Sequence, residues 1–198
     1  MGPIRMPDPV FLFAGMIAQS EEIFSLAQIE LKKSFGEVSY QSPVYPWDRS
    51  GYYEEEIGTD LKRRFLFFAE PILPDRLADI KIETNRIEGL FLNKTGRNGK
   101  RTINIDPGYM NMAKVVLATT KDFSHRVYLR DGIYAEVTLI YRDDSYWPLP
   151  YTFPDFRSEN YIGLFNSVRG ELKSSSKLSS GLHYSSIPKP LSPKRKKI

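Results

Sequence analysis

A chain of 198 residues that is 41% hydrophobic and 13% aromatic is long enough to bury one substantial core, and a single domain is the expectation. It has no cysteine, which excludes disulfides, cysteine nucleophiles and a cysteine-based metal site and suits a reducing cytoplasm. The formal charge of +4 divides unevenly: residues 174–198 carry +6 with no acid, so residues 1–173 carry −2, which argues against a basic, nucleic-acid-binding body.

In chain order, the apolar run from Val10 to Met16 reads as a buried first strand. It is too short to cross a bilayer, and Asp8 and Pro9 spoil it as a secretion signal. A helix follows, with Ser20 as N-cap, Phe24, Ala27, Leu31 and Phe35 on one face and Gly36 as its stop. Residues 37–47 read as a strand, 48–51 as a turn and 52–68 as a longer, bent strand rich in aromatics. Exposure to solvent, or pairing with Arg63 and Arg64, accounts for the acids in Tyr52-Tyr53-Glu54-Glu55-Glu56.

A second helix begins at Pro74 and buries Leu73, Leu77, Ile80, Thr84, Ile87 and Phe91 at helical spacing. Lys81, Asn85 and Glu88, at i, i+4 and i+7, form a polar stripe suited to water or, less simply, to the wall of a cleft. Beyond an exposed loop at 93–100, strands are expected at 101–105, 114–120, 125–129 and 133–141, with Asp106-Pro107-Gly108-Tyr109 as a turn. A last helix over 158–173 buries Tyr161, Leu164, Phe165, Val168 and Leu172. The fold class is therefore α+β, a mixed, largely antiparallel sheet with helices mainly on one face; the β-α-β-β-α-β opening permits a ferredoxin-like core extended by a hairpin. Residues 1–173 form the domain and 174–198 a disordered basic tail rich in Ser, Pro and Lys.

Polar groups converge in residues 101–141. Asp131-Gly132 between alternating runs predicts a two-residue hairpin turn. In a regular register Val127 then opposes Glu136 and His125 opposes Thr138, which puts His125 beside Glu136 and sends Arg126 to the other face. Glu136 would orient His125 for acid–base chemistry, the candidate catalytic pair, or the two form a cross-strand polar pair without chemistry. Thr120 and Lys121 at a strand end, with Arg126, Lys81 and Asn85, are candidate contacts for an anionic ligand. Asp106 and Asp122 are candidate metal ligands, and their hard oxygens would favour Mg²⁺ or Mn²⁺ over Zn²⁺.

The strings YYEEEIG, IKIETNRIE, NIDPGYMNMAKVVLATTKDFSHRVYLRDGIYAEVTLIY and YTFPDF carry a resemblance that spans about residues 10–173. On them the chain resembles a prokaryotic family catalogued as domain of unknown function 4416. The resemblance implies a small cytoplasmic protein, and some members carry a GTP-binding label. A P-loop needs two glycines with four residues between them, then Lys and Ser or Thr, between a strand and a helix; Gly96-Arg97-Asn98-Gly99-Lys100-Arg101-Thr102 has only two residues between its glycines. Thr120-Lys121-Asp122 lacks the residue that separates Lys from Asp in the usual guanine-reading motif. A P-loop GTPase is thereby disfavoured.

Two readings stand. In the first, a small protein binds an anionic, phosphate- or nucleotide-like ligand at the polar cluster in 106–136, with or without a divalent metal and with or without catalysis. In the second, a noncatalytic module contacts protein or RNA through an aromatic surface or the basic tail. Neither reading involves a membrane.

Overall fold

The computed structural model describes residues 2–47, 53, 56–92 and 100–179. The expected turn at 48–51, the acids Glu54 and Glu55, the loop at 93–99 and residues 180–198 lie outside the described residues. The nine strands of the described residues form one sheet in which every pairing is antiparallel.

The chain opens with β1 (Phe11–Ala18), which alternates between two buried faces and therefore lies mid-sheet. Helix α1 (Glu21–Phe35) starts where the Ser20 hydroxyl accepts from the Ile23 amide and ends at Gly36, whose φ of 86° suits a residue without a Cβ. The expected 37–47 strand is broken into β2 (Val38–Gln41) and β3 (Tyr45–Pro46). The long bent strand of 52–68 shortens to β4 (Lys62–Phe68). A 3-10 turn at Pro74–Arg76 leads into α2 (Leu77–Gly89). Then come β5 (Ile103–Met110), β6 (Lys114–Thr119), β7 (Val127–Arg130), β8 (Ile133–Arg142), β9 (Ser145–Pro148) and α3 (Glu159–Ser179). Helix α3 runs past residue 173, the boundary expected for the tail.

The sheet order is β2-β4-β1-β5-β6-β8-β7, with β3 on β4 and β9 on β8. Leu12, Ala14, Met16 and Ala18 of β1 pack with Leu66 and Phe68 of β4 under α1 and α2. Phe13, Phe65 and Phe67 face the other way, onto Tyr161, Leu164, Phe165 and Val168 of α3. Two helices thus share one face and the third covers the opposite one. The second core is aromatic, with Phe65 meeting Tyr161 edge-on at 4.9 Å and Phe13 meeting Phe165 at 5.1 Å. No helix among the described residues is long and apolar enough to cross a membrane.

Asp106-Pro107-Gly108-Tyr109 is not a turn; it lies inside β5, paired along β1 from Gly15↔Asp106 to Leu12↔Tyr109. On its other side β5 pairs with β6 only from Gly108↔Leu117 to Met110↔Val115. Alternate residues of a strand direct their N–H and C=O to the same neighbour, so Pro107 and Ile105 both face β6. Pro107 has no N–H to give, and the ladder stops there. From that point β5 and β6 diverge, and the sheet opens into a fork.

Candidate functional site

The fork needs polar partners, because it strips Ile105 of a neighbouring strand on one side. Helix α2 supplies them: Lys81 Nζ donates to the Ile105 carbonyl at 2.9 Å, and Glu88 Oε1 accepts from the Ile105 amide at 2.5 Å. The polar stripe Lys81, Asn85 and Glu88 therefore faces inward, with Lys81 and Glu88 buried, and not chiefly into solvent. It floors a cleft of about 500 Å³ walled by β4, β5, the ends of β6 and β8, Trp47 and the segment 153–156.

Charges fill this cleft in pairs. Arg63, 2% exposed, donates through Nη2 to Asp155 Oδ2 at 2.9 Å and lies 3.8 Å from Asp106 through Nη1. Its guanidinium sits over Trp47 at 4.8 Å and Phe65 at 5.3 Å. Burial works against the Arg63 charge, but Asp155 leads the groups that hold its pKa above the ordinary value, so the side chain stays charged. Burial pushes the Asp155 carboxyl up, opposed by Arg63. The Tyr161 phenol, also buried against this pair, is pushed up to about 12. Arg101 donates to Glu88 at 2.8 Å and to Glu56 at 2.7 Å. Burial raises the Glu88 carboxyl, opposed by Lys81, the Ile105 amide and Arg101.

The hairpin turn is as expected, with φ of 53° at Asp131 and 77° at Gly132. The register is not: Arg130 pairs with Ile133, but a bulge at Leu129 then sets Tyr128 against Tyr134 and Val127 against Ala135. That one-residue shift reverses the expected parity. Arg126 lies on the same face as Glu136, and its Nε donates to Glu136 Oε2 at 2.9 Å. His125 Nε2 still reaches the same oxygen at 3.2 Å, and Thr138 donates to Oε1 at 3.2 Å. His125 stacks on Tyr151 at 4.2 Å and sits behind Glu136, outside the lining of the cleft.

Seven of the nine residues predicted from sequence therefore line one cleft: Lys81, Asn85, Asp106, Thr120, Lys121, Arg126 and Glu136. His125 touches it through Glu136. Asp122 is exposed and outside it, so the expected Asp106–Asp122 metal pair is not assembled. Asp106 instead accepts from Asn104 at 2.7 Å and faces Lys81 at 3.6 Å and Arg63 at 3.8 Å, two cations where Mg²⁺ or Mn²⁺ would have to sit. Among the described residues no three His, Asp or Glu side chains gather as metal ligands. Of the acids after Tyr52 only Glu56 is among the described residues, and it pairs with Arg101, while Arg63 pairs with Asp155 and Arg64 with Glu21.

The sequence reading missed Arg63, Trp47, Asn104, Arg101 and the segment Phe153-Pro154-Asp155-Phe156. Arg63 was visible as a charge inside the apolar run Arg63-Arg64-Phe65-Leu66-Phe67-Phe68, where burial demands a partner. Two residues that line the cleft carry buried donors with no hydrogen-bond acceptor among the described residues: Nε and Nη1 of Arg63, and Nε1 of Trp47.

The molecule is thus an α+β protein whose forked antiparallel sheet holds a charged cleft. By its match over residues 8–171, it belongs to the family described as Domain of unknown function (DUF4416). No curated protein and no solved structure matches it.

Proposed function

We propose that the cleft binds an anionic, phosphate-like small molecule. The observation that carries this reading is the pair of buried donors at Arg63 and Trp47, which line the cleft and meet no acceptor among the described residues. A buried donor without an acceptor costs about 1–3 kcal/mol, and more when it is charged, so a small shift of Arg63 and Trp47 that turns these donors onto an oxyanion repays that cost on binding. Lys81, Arg101 and Arg126 surround the same space with further positive charge, while each acid there is already engaged by a cation or an amide. Nothing in this reading requires a divalent ion, because protein cations supply the charge.

Trp47 makes the cleft its own reporter, since the only other tryptophan is Trp147 on β9. In a Trp147→Phe background, inorganic phosphate is expected to change Trp47 fluorescence saturably. At a hundredfold excess over Kd it should raise the unfolding midpoint by about 5–10 °C, from about 2.7 kcal/mol of linkage in a protein of this size. Arg63→Lys, which keeps the charge and loses the forked donors, should abolish most of the response. Absence of any response to phosphate, sulfate and small carboxylates in either readout overturns the reading.

A further inference from the structure

Phe153, Pro154, Asp155 and Phe156 line the cleft consecutively, yet their burial splits sharply. Asp155 and Phe156 are 5% and 2% exposed, whereas Phe153 is 41% exposed. Asp155 holds Arg63 in place, so the segment that orients the anion seat also sets an open aromatic ring at the rim. The Arg126 guanidinium lies 5.5 Å from the Phe153 ring and is itself fixed, by Glu136 at 2.9 Å and by the Lys121 carbonyl at 3.0 Å. Tyr151 and Phe123, 37% and 64% exposed, stand around His125 beside it, the first stacked at 4.2 Å and the second edge-on at 5.3 Å. Of these exposed rings Phe153 is the one that lines the charged cleft, where it is open to a planar partner.

From these positions we infer that the ligand has two chemically distinct ends, an anionic group taken by Arg63 and Trp47 and a planar aromatic ring taken by Phe153 at the rim. The inference rests on the anion-binding reading above and adds the class of molecule. Two residues of extended chain span at most about 7 Å, and Asp155 holds Arg63 at 2.9 Å, so Phe153 and the Arg63 seat are close enough for one small molecule to reach both. Arg126 already covers one approach to Phe153, which leaves the rest of the exposed ring for a planar partner. Phe153 and Arg126 line the same cleft as Arg63, which favours one bifunctional ligand over a protein seated on the rim alone.

Calorimetric titration of the full chain with matched probes tests this. Phenyl phosphate should bind on the order of five- to tenfold tighter than methyl phosphate, the yield of one aromatic stacking contact. A purine nucleoside 5′-monophosphate against ribose 5-phosphate repeats the comparison with the ring held farther from the anion, and the pair with the larger gap identifies the spacing. Phe153→Ala and Phe153→Leu should erase the gap while methyl phosphate or ribose 5-phosphate binds as before. Phe153 is 41% exposed and belongs to none of the buried core clusters, so neither variant threatens the fold. Equal affinities within both pairs overturn the aromatic end and leave the anion seat standing. A gap that survives both Phe153 variants overturns the assignment to Phe153, and no binding of any probe overturns both readings together.

Discussion

Arg63 reaches its position only because residue 15 has no side chain. A Cβ built on Gly15 would stand 2.7 Å from Arg63 Nη1 and 2.9 Å from a Phe65 ring carbon, both far closer than atoms pack. The guanidinium is the softer of the two obstacles, since Phe65 is wedged among Phe13, Phe156, Tyr161 and Phe165. Gly15→Ala is therefore expected to displace Arg63 from Asp155 and from the cleft. Overpacking of this kind costs about 1–3 kcal/mol, which leaves a folded protein with a lowered midpoint. Phosphate affinity measured on that folded protein should fall at least tenfold, and an unchanged affinity would show that Arg63 does not hold the anion. At this scale sequence reasoning placed Glu136, Lys81 and Asp106 in the polar cluster but not Arg63, because the apolar run marks Arg63 as a charge in need of a partner without showing which residue supplies it. Asp155, its partner, lies 92 residues away.

At the scale of elements, the site is a consequence of one strand losing its neighbour. The caps and the 3.6-residue periodicity made α1, α2 and α3 legible, and the Asp-Gly turn made the β7–β8 hairpin legible. The β7 register was not, because nothing local marks the bulge at Leu129 that carries Arg126 to the face of Glu136. Strand β9 was missed because its turn is Asp143-Asp144, with φ of 49° and 59°, where a glycine would have been the usual sign. Pro107 misled most, since a proline counts against a central strand unless its missing N–H falls where a ladder ends. Here it does, and Glu88 and Lys81 take over the role of the absent strand at Ile105. Glu88→Ala should leave the Ile105 amide without an acceptor and Arg101 with Glu56 alone, at a cost of about 1–3 kcal/mol. Hydrogen exchange checks this directly: the Ile105 amide should be protected in the native protein and should lose that protection in the variant more than Asn104, which faces β1. Equal loss at both positions would mean that the helix clamp does not hold the fork.

At the scale of the molecule, the division of charge separates two kinds of anion binding that a single affinity would confuse. Among the described residues the buried ones lie between Val10 and Val168, and the cleft draws on residues 47–156. Residues 180–198 contain Lys189, Lys194, Arg195, Lys196 and Lys197 and no acid, and the remainder of the chain is slightly acidic. Any attraction to a polyanion such as single-stranded RNA should therefore come from that segment, whereas a small phosphate should be taken by the cleft. The two are distinguishable by salt. Five neutralised phosphates on a single strand give log K against log salt a slope of about −3.5, while a small ligand held by fixed internal donors is far less sensitive. A chain ending at Ser179 is expected to unfold at the same midpoint and to bind phosphate unchanged. Its RNA binding should vanish together with the salt slope. RNA binding that persists in the shortened chain with the same slope would move the polyanion contact onto the folded body. There it would have to compete for Arg63, Lys81, Arg101 and Arg126, and added phosphate should then displace the RNA.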